Sequence, residues 1–70
     1  MDSAETLLLL RACAHVAVPA DPPAFFQRFV VERLRLWDDA LADKVNGLSA
    51  QEFAEVCRRL RGLQRSQLEH

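Results

Sequence analysis

The side chains best suited to covalent or acid-base chemistry are two cysteines and a histidine, and they form no recognisable catalytic set. Cys13 and Cys57 both occupy positions among apolar residues at helical spacing. A free cysteine in such a setting usually packs as a small hydrophobic side chain with an unreactive thiol. His15 falls on the polar strip of the first predicted helix, beside Arg11, where a surface or interface role is expected. Without a nucleophile, a base and an orienting group together, the sequence predicts no catalytic residues and no enzyme.

Metal ligands and cofactor motifs are equally sparse. No Cys-x-x-Cys or His-x-x-x-His spacing occurs, and a zinc site built from Cys13, Cys57 and His15 lacks a fourth ligand. Asp39 and Asp43 are four residues apart on one helix face, which a solvated acidic face explains better than a shared cation. No glycine-rich phosphate loop is present. We therefore expect neither a metal nor a cofactor.

Positive charge gathers near the carboxyl end of the sequence in four arginines, Arg58, Arg59, Arg61 and Arg65. Phosphate contacts by such a group give salt-dependent nucleic-acid binding. Cations are also favoured near the carboxyl end of a helix, where they stabilise its dipole. The connection at residues 46–49 allows a helix-turn-helix, but a helix that begins Ala-Gln-Glu is poorly suited to reading bases. Nucleic-acid binding is thus the alternative function and not the preferred one.

The composition of the 70 residues, 50% hydrophobic and 27% charged, indicates one small helical globular domain. A net charge of −1 provides no overall field toward nucleic acid or acidic membranes. The apolar run at residues 7–10 follows acidic residues, unlike a signal peptide, so we expect a cytoplasmic protein with no membrane partner. The ending Leu-Glu-His is typical of a vector-derived tag, which assigns 1–67 to the domain and 68–70 to a tag remnant.

The first predicted helix spans about 3–16 and begins with a capping signal. Asp2 is followed three residues later by Glu5, the spacing of a capping box. Apolar residues cover at least half of the circumference of this helix. A helix that is apolar on more than one side is usually buried on more than one side. We therefore expect a second copy of the chain to cover part of it.

The second predicted helix is long, from about 22 to 45. Asp21 is a suitable N-cap, and Pro22 falls at the first helical position, where its missing N–H costs nothing. A seam of apolar residues follows at spacings of three and four. The members of this seam are Phe26, Val30, Leu34, Trp37, Leu41 and Val45. A second apolar row beside it contains Phe25, Phe29, Leu36 and Ala40.

The third predicted helix spans about 50–63, and three signals mark its beginning. Gly47 fits the left-handed residue that ends the preceding helix. Ser49 and Glu52 form a capping box, and a leucine between Gly47 and Ser49 can pack against the new helix. Gly62 is expected to fray its end.

Together these elements predict an all-α fold, an antiparallel three-helix bundle completed by homodimerisation. Short connections favour antiparallel neighbours. The middle helix is much longer than the other two, so part of its apolar surface should stay uncovered in a monomer. The first helix and the Phe25, Phe29 and Leu36 row are expected to form much of the dimer interface.

Since the residues that need explanation are apolar and helical, we expect a non-enzymatic module that binds another protein through a helix face. An inhibitor, an anti-activator or an adaptor fits a chain of this size. Anchors for such contacts are large apolar residues with a polar rim. The candidate anchors are Leu8, Phe25, Phe29, Val31, Leu36 and Trp37.

Overall fold

The structure, a computed structural model, describes residues 2–68 of the chain, with side chains to residue 66. Within that range it contains four helices and no strand. The helices are α1 (Ser3–Ala12), α2 (Ala24–Leu34), α3 (Asp39–Asn46) and α4 (Ala50–Leu68). The predicted all-helical class is confirmed, whereas the predicted number of three helices is wrong. No helix in the described range is both long enough and apolar enough to cross a membrane.

Helix α1 begins at the predicted capping box and ends earlier than predicted. The Glu5 backbone N–H donates to Asp2 Oδ1 at 2.8 Å, and the Asp2 N–H donates to Glu5 Oε1 at 3.2 Å. The helix ends at Ala12, four residues short of the predicted 16. His15 has a φ of 68°, in the left-handed region that L-residues other than glycine seldom adopt. That conformation is incompatible with a helix through residue 16.

The predicted helix over 22–45 is instead two helices, and this is the main correction to the fold. Helix α2 ends at Leu34, and residues 35–37 form a turn. Asp38 then leaves helical geometry, with φ −153° and ψ 96°, and its side chain accepts the Leu41 N–H at 3.0 Å. This is an N-cap, which satisfies an amide at the beginning of α3 that no helical carbonyl can reach.

The chain reversal at residues 35–38 allows α2 and α3 to pack against each other and to bury their apolar faces. Gln27, near the beginning of α2, donates to the carbonyl of Val45 at the end of α3, so the two helices form an antiparallel hairpin. A straight helix over 22–45 would measure about 36 Å, which exceeds the longest dimension of the molecule, 32 Å. All the members of the predicted seam except Trp37 still reach the core, from two helices instead of one.

The connection into α4 follows the predicted capping box but not the predicted glycine geometry. The Ser49 N–H donates to Glu52 Oε1 at 2.9 Å, and the Glu52 N–H donates to Ser49 Oγ at 3.1 Å. The hydrogen bond from the Ser49 backbone lowers the pKa of the Glu52 carboxyl. Gly47 has φ −83° and ψ −7°, which is right-handed helical, so the left-handed assignment was wrong.

The beginning of α2 and the end of α4 also differ from prediction. Helix α2 has Pro23 as its N-cap, so Asp21 does not serve that role. Helix α4 continues to Leu68, past Gly62 and the predicted end at 63. Leu68, the first residue of the predicted tag remnant, is therefore helical, and the rest of that remnant lies outside the described residues.

All four helices contribute to one hydrophobic core. Its fully buried larger side chains are Leu9, Cys13, Val30, Leu34, Val45, Phe53, Cys57 and Leu60. Phe26 joins α2 to α4, with its ring centroid 6.2 Å from that of Phe53. At the surface, Lys44 of α3 pairs with Glu5 of α1 at 3.0 Å. Packing in this core fixes the positions of the helix ends. The exposed candidate residues Phe25, Leu36 and Trp37 lie at those ends.

Candidate interaction surfaces

The two cysteines lie in the core as free thiols, and their surroundings hold them protonated. Both side chains are inaccessible to solvent. Burial raises the pKa of Cys13 to about 11 and that of Cys57 to about 12. The thiolate is the nucleophilic form of cysteine. Neither residue can therefore act as a nucleophile at neutral pH without an opening of the core.

The paired aspartates on α3 are occupied by an arginine. Arg35 lies 3.7 Å from Asp39 and 3.0 Å from Asp43, and all three side chains are substantially exposed. The single positive charge of Arg35 offsets part of the negative charge of this acidic face. Among residues 2–68, no group of three or more His, Cys, Asp or Glu side chains is arranged to hold a metal ion.

Three of the six predicted anchors are exposed. Phe25 is 65% exposed, Leu36 is 77% exposed and Trp37 is 45% exposed. The helix break separates them: Phe25 lies at the beginning of α2, and the other two lie in the turn after it. The predicted continuous row of Phe25, Phe29 and Leu36 is therefore interrupted.

The other three predicted anchors pack inward to different degrees. Leu8 and Phe29 are half-buried against the core. Phe29 also stacks with Arg33, whose guanidinium carbon lies 5.4 Å from the ring centroid. Val31 is only 5% exposed, so its prediction as a surface anchor was wrong. Helix α2 is contacted by both α1 and α3, which buries two sides of it and leaves Val31 little access to solvent.

We use the name corner surface for four exposed side chains, which the contact of Arg11 with Trp37 links: Leu7 and Arg11 of α1, and Leu36 and Trp37 of the turn after α2. The Arg11 guanidinium carbon lies 5.9 Å from the centroid of the Trp37 ring, within cation–π distance. Leu7 is one helical turn before Arg11 and is 63% exposed. The corner surface therefore combines three exposed apolar side chains with one arginine stacked on Trp37.

The backbone of the corner is well ordered by hydrogen bonds. The Trp37 N–H donates to the carbonyl of Leu34 at 2.9 Å, and the Asp38 N–H donates to the same oxygen at 2.7 Å. The N-cap of α3 follows immediately. The two apolar side chains are thus presented by a fixed turn, which lowers the entropic cost of using them in a contact.

The four arginines of the predicted nucleic-acid patch do not share one face. Arg58 donates to the carbonyl of Ala20 at 3.4 Å, which turns it toward the α1–α2 connection. Arg61 and Arg65, four residues apart, line a groove against the same connection. Arg59 is rotated by about 100° from Arg58 around α4. The structure thus brings three of the arginines to one edge of the helix and places Arg59 apart from them.

The groove beside Arg61 and Arg65, here called the basic groove, has a volume of about 680 Å³. Its other wall is formed by Leu10 and residues 14–18, the first part of the α1–α2 connection, and Gln64 completes its lining. These residues supply apolar side chains and, through His15, an imidazole. The basic groove therefore combines an apolar wall with a cationic edge.

Gln64 fixes the two walls of the basic groove to each other. Its Nε2 donates to the carbonyls of Cys13 at 3.3 Å and Val16 at 3.1 Å. Its Oε1 accepts the Val18 N–H at 3.4 Å. One side chain thereby satisfies three backbone groups of an irregular segment, and the groove is preformed.

Comparison with models of known protein families, with curated proteins and with solved structures finds no match for this chain.

Sequence reasoning missed Leu7, Arg11, Gln64 and the role of His15. Leu7 belongs to the apolar run at residues 7–10, and its four-residue spacing to Arg11 is the signal that places the two side chains on one face of α1. No local signal identifies Gln64, because its partners lie 46 to 51 residues earlier. His15 is a residue type enriched in left-handed conformations, which is a weak signal for a helix end.

Proposed function

We propose that this protein is a small non-enzymatic interaction module that binds a larger protein through the corner surface. An inhibitor, an anti-activator or an adaptor remains the expected type. The observation that carries the proposal is the exposure of Leu36 and Trp37, 77% and 45%, on a hydrogen-bonded turn. Large apolar side chains on a rigid support are typical binding anchors, and tryptophan and arginine are the commonest of them.

Charge around the corner supports a particular kind of partner surface. Arg11 stacks on Trp37, and the Arg35 side chain is engaged by two aspartates on α3. A partner with an apolar pocket and one carboxylate at its rim would match Trp37 and Arg11 together. We expect the carboxylate to contact Arg11 while Leu36 and Trp37 enter the pocket.

Self-association remains part of the proposal, through a different face. Phe25 is 65% exposed and lies one turn before the half-buried Phe29 on α2. A homodimer that joined two such faces would cover both rings.

Sedimentation velocity over a wide concentration range tests this. Phe25→Asp should give a monomer, while Leu63→Asp, a matched change at an exposed apolar residue of α4, should not. A wild-type protein that stays monomeric at every concentration overturns the dimer.

A photo-crosslinking amino acid placed at Leu36 tests the partner proposal. In the native host, it should capture a protein that the same amino acid placed at Gln51, an exposed residue at the beginning of α4, does not capture. Identical captures from both positions, or none from Leu36, would contradict the proposed surface.

The captured protein is then purified and its affinity is measured directly. Trp37→Ala should weaken binding by about thirtyfold or more, as expected for a hot-spot residue worth about 2 kcal/mol. Leu63→Ala serves as the matched control and should leave the affinity unchanged. Circular dichroism of each variant checks that the fold is retained.

A cytoplasmic location is also part of this proposal. It is supported by the two buried free thiols, which are typical of proteins in reducing compartments.

Nucleic-acid binding by Arg58, Arg61 and Arg65 is the alternative, favoured by their shared edge on α4. It predicts a mobility shift with DNA or RNA at low salt that Arg58→Glu with Arg61→Glu abolishes. Arg59→Glu, on a different side of the helix, should weaken binding less. Absence of any shift by the wild-type protein at low salt removes this alternative.

A further inference from the structure

The basic groove is a concave feature, separate from the corner surface and from the Phe25 face. Its volume of about 680 Å³ falls within the roughly 300–1,000 Å³ of small-molecule sites. It lies between the carboxyl half of α4 and the connection that follows α1. We propose that the basic groove binds a small amphiphilic anion, a carboxylate with an apolar chain.

The charge of the groove favours an anion. Arg61 and Arg65 are one helical turn apart and repel each other. The ion pairs among the described residues involve Arg35 and Lys44, so no described carboxylate neutralises either groove arginine. A carboxylate between the two guanidinium groups would relieve that repulsion and accept charge-assisted hydrogen bonds.

The apolar wall requires a hydrocarbon part. Leu10, Val16 and Val18 line the groove, and the wall exposes more apolar than polar surface. Inorganic phosphate or a bare nucleic-acid backbone would leave this wall in contact with water. An alkyl chain would cover it and gain the free energy of apolar burial. The combination of both features favours an amphiphile over a purely polar anion.

The groove is also held open before any ligand arrives. Gln64 ties Cys13, Val16 and Val18 to α4 through three hydrogen bonds. The left-handed backbone at His15 bends the connection between those attachment points. Strained backbone of this type is found disproportionately at ligand sites. Because the walls are already fixed, binding requires little further ordering.

Titration of the ¹⁵N-labelled chain with decanoate below its micelle concentration tests the proposal. Amide shifts should concentrate in residues 14–18 and 61–65, while Leu36 and Trp37 stay unchanged. Decan-1-ol and decylammonium, which have the same chain without the negative charge, should bind at least about tenfold more weakly. Shifts centred on the corner surface, or equal affinity for decanol and decanoate, would overturn it.

Arginine variants separate a specific site from general hydrophobic binding. Arg61→Gln with Arg65→Gln should weaken decanoate binding by about tenfold or more. The matched control, Arg59→Gln on the same helix, should retain the wild-type affinity. A double variant that keeps the wild-type spectrum and the wild-type affinity contradicts the proposal.

Two further probes distinguish the source of the anion. Vesicles of phosphatidylglycerol and a short single-stranded DNA are titrated under the same conditions. Binding of decanoate with weak or no binding of the other two supports a free amphiphile. Binding of vesicles or DNA to residues 14–18 and 61–65 with no response to decanoate overturns it. Neither result depends on the corner surface, so this proposal and the proposed function can fail separately.

Discussion

The corner surface and the basic groove lie at two helix ends, and they are built in opposite ways. At the corner, a short turn between α2 and α3 pushes Leu36 and Trp37 outward. At the groove, a longer connection is drawn against α4 by the side chain of Gln64. The first region projects apolar groups, whereas the second encloses a space with a charged edge.

The difference indicates which kind of ligand each region can accept. A projecting apolar side chain needs a pocket on its partner, so the corner suits a macromolecule. A preformed groove provides the pocket itself and suits a small ligand. Local hydrogen bonds hold the corner, while contacts across 46 to 51 residues hold the groove.

Alkaline pH should have the largest effect, and it acts on the core that supports both regions, because this core contains the two buried thiols. Unfolded thiols lose their protons near about pH 8.5, whereas folded Cys13 and Cys57 keep theirs to about 11 and 12. The unfolded state therefore binds fewer protons over this range, and stability falls as pH rises. The expected slope is up to about 1.4 kcal/mol per pH unit for each thiol.

Urea unfolding followed by the fluorescence of the single tryptophan, Trp37, measures this slope. Stability should be constant with respect to the thiols below about pH 8. Cys57→Ala should reduce the alkaline slope by roughly half, since one of two thiols remains. An unchanged slope in that variant would show that other groups cause the loss.

Replacing Gln64 should loosen the groove without affecting the corner. Gln64→Leu removes three hydrogen bonds to backbone groups and should cost about 1–3 kcal/mol. Hydrogen exchange of the amides in residues 13–18 should accelerate, with little change at 35–38. The matched control is Gln27→Leu, which removes two bonds to the Val45 and Leu48 carbonyls and should affect the hairpin instead. If both variants accelerated hydrogen exchange equally in residues 13–18 and in residues 35–38, the groove and the corner would not be held independently, contrary to this prediction.

Asp38→Ala tests the helix break that forms the corner. Loss of the N-cap at α3 should cost about 1 kcal/mol, and Asp38→Ser should restore most of it. The helical content should not increase, because α2 and α3 must remain two separate helices to pack against each other. A gain in helical content and in stability would mean that the break can be repaired into one long helix.

The smallest expected effect concerns two helix connections, the one at the groove that contains His15 and the α3–α4 connection that contains Gly47. Gly47 has right-handed geometry, and an added Cβ would lie 3.6 Å from the carbonyls of Asp43 and Lys44, an ordinary contact. Gly47→Ala should therefore stabilise the protein by about 0.4–1 kcal/mol. His15→Ala should destabilise it, because its φ of 68° suits alanine less well than histidine. Thermal unfolding of both variants measures whether each substitution raises or lowers the melting temperature.

The sequence allowed prediction of the parts of the fold that depend on neighbouring residues. The capping boxes at Asp2 and Ser49 each need a partner three residues away, and both form. The break at Asp38 was missed because the same apolar spacing fits one long helix and two helices that face each other. Only the core decides between them, since it must bury both halves of the seam.

The candidate surfaces were less predictable for the same reason. The exposure of Leu36 and Trp37 follows from the break, and the burial of Val31 follows from the helices on either side of α2. The groove depends on Gln64, whose acceptors belong to the far end of the chain. Pairings between distant residues leave no periodic trace in one sequence.

Gln64 holds the α1–α2 connection against α4 by three hydrogen bonds, and this clamp also has a consequence for the order of folding. The α2–α3 hairpin needs only contacts between near neighbours, which form fast, while the clamp must close a loop of about fifty residues. The turn that presents Leu36 and Trp37 can therefore form early in folding, whereas the groove exists only after α4 has docked.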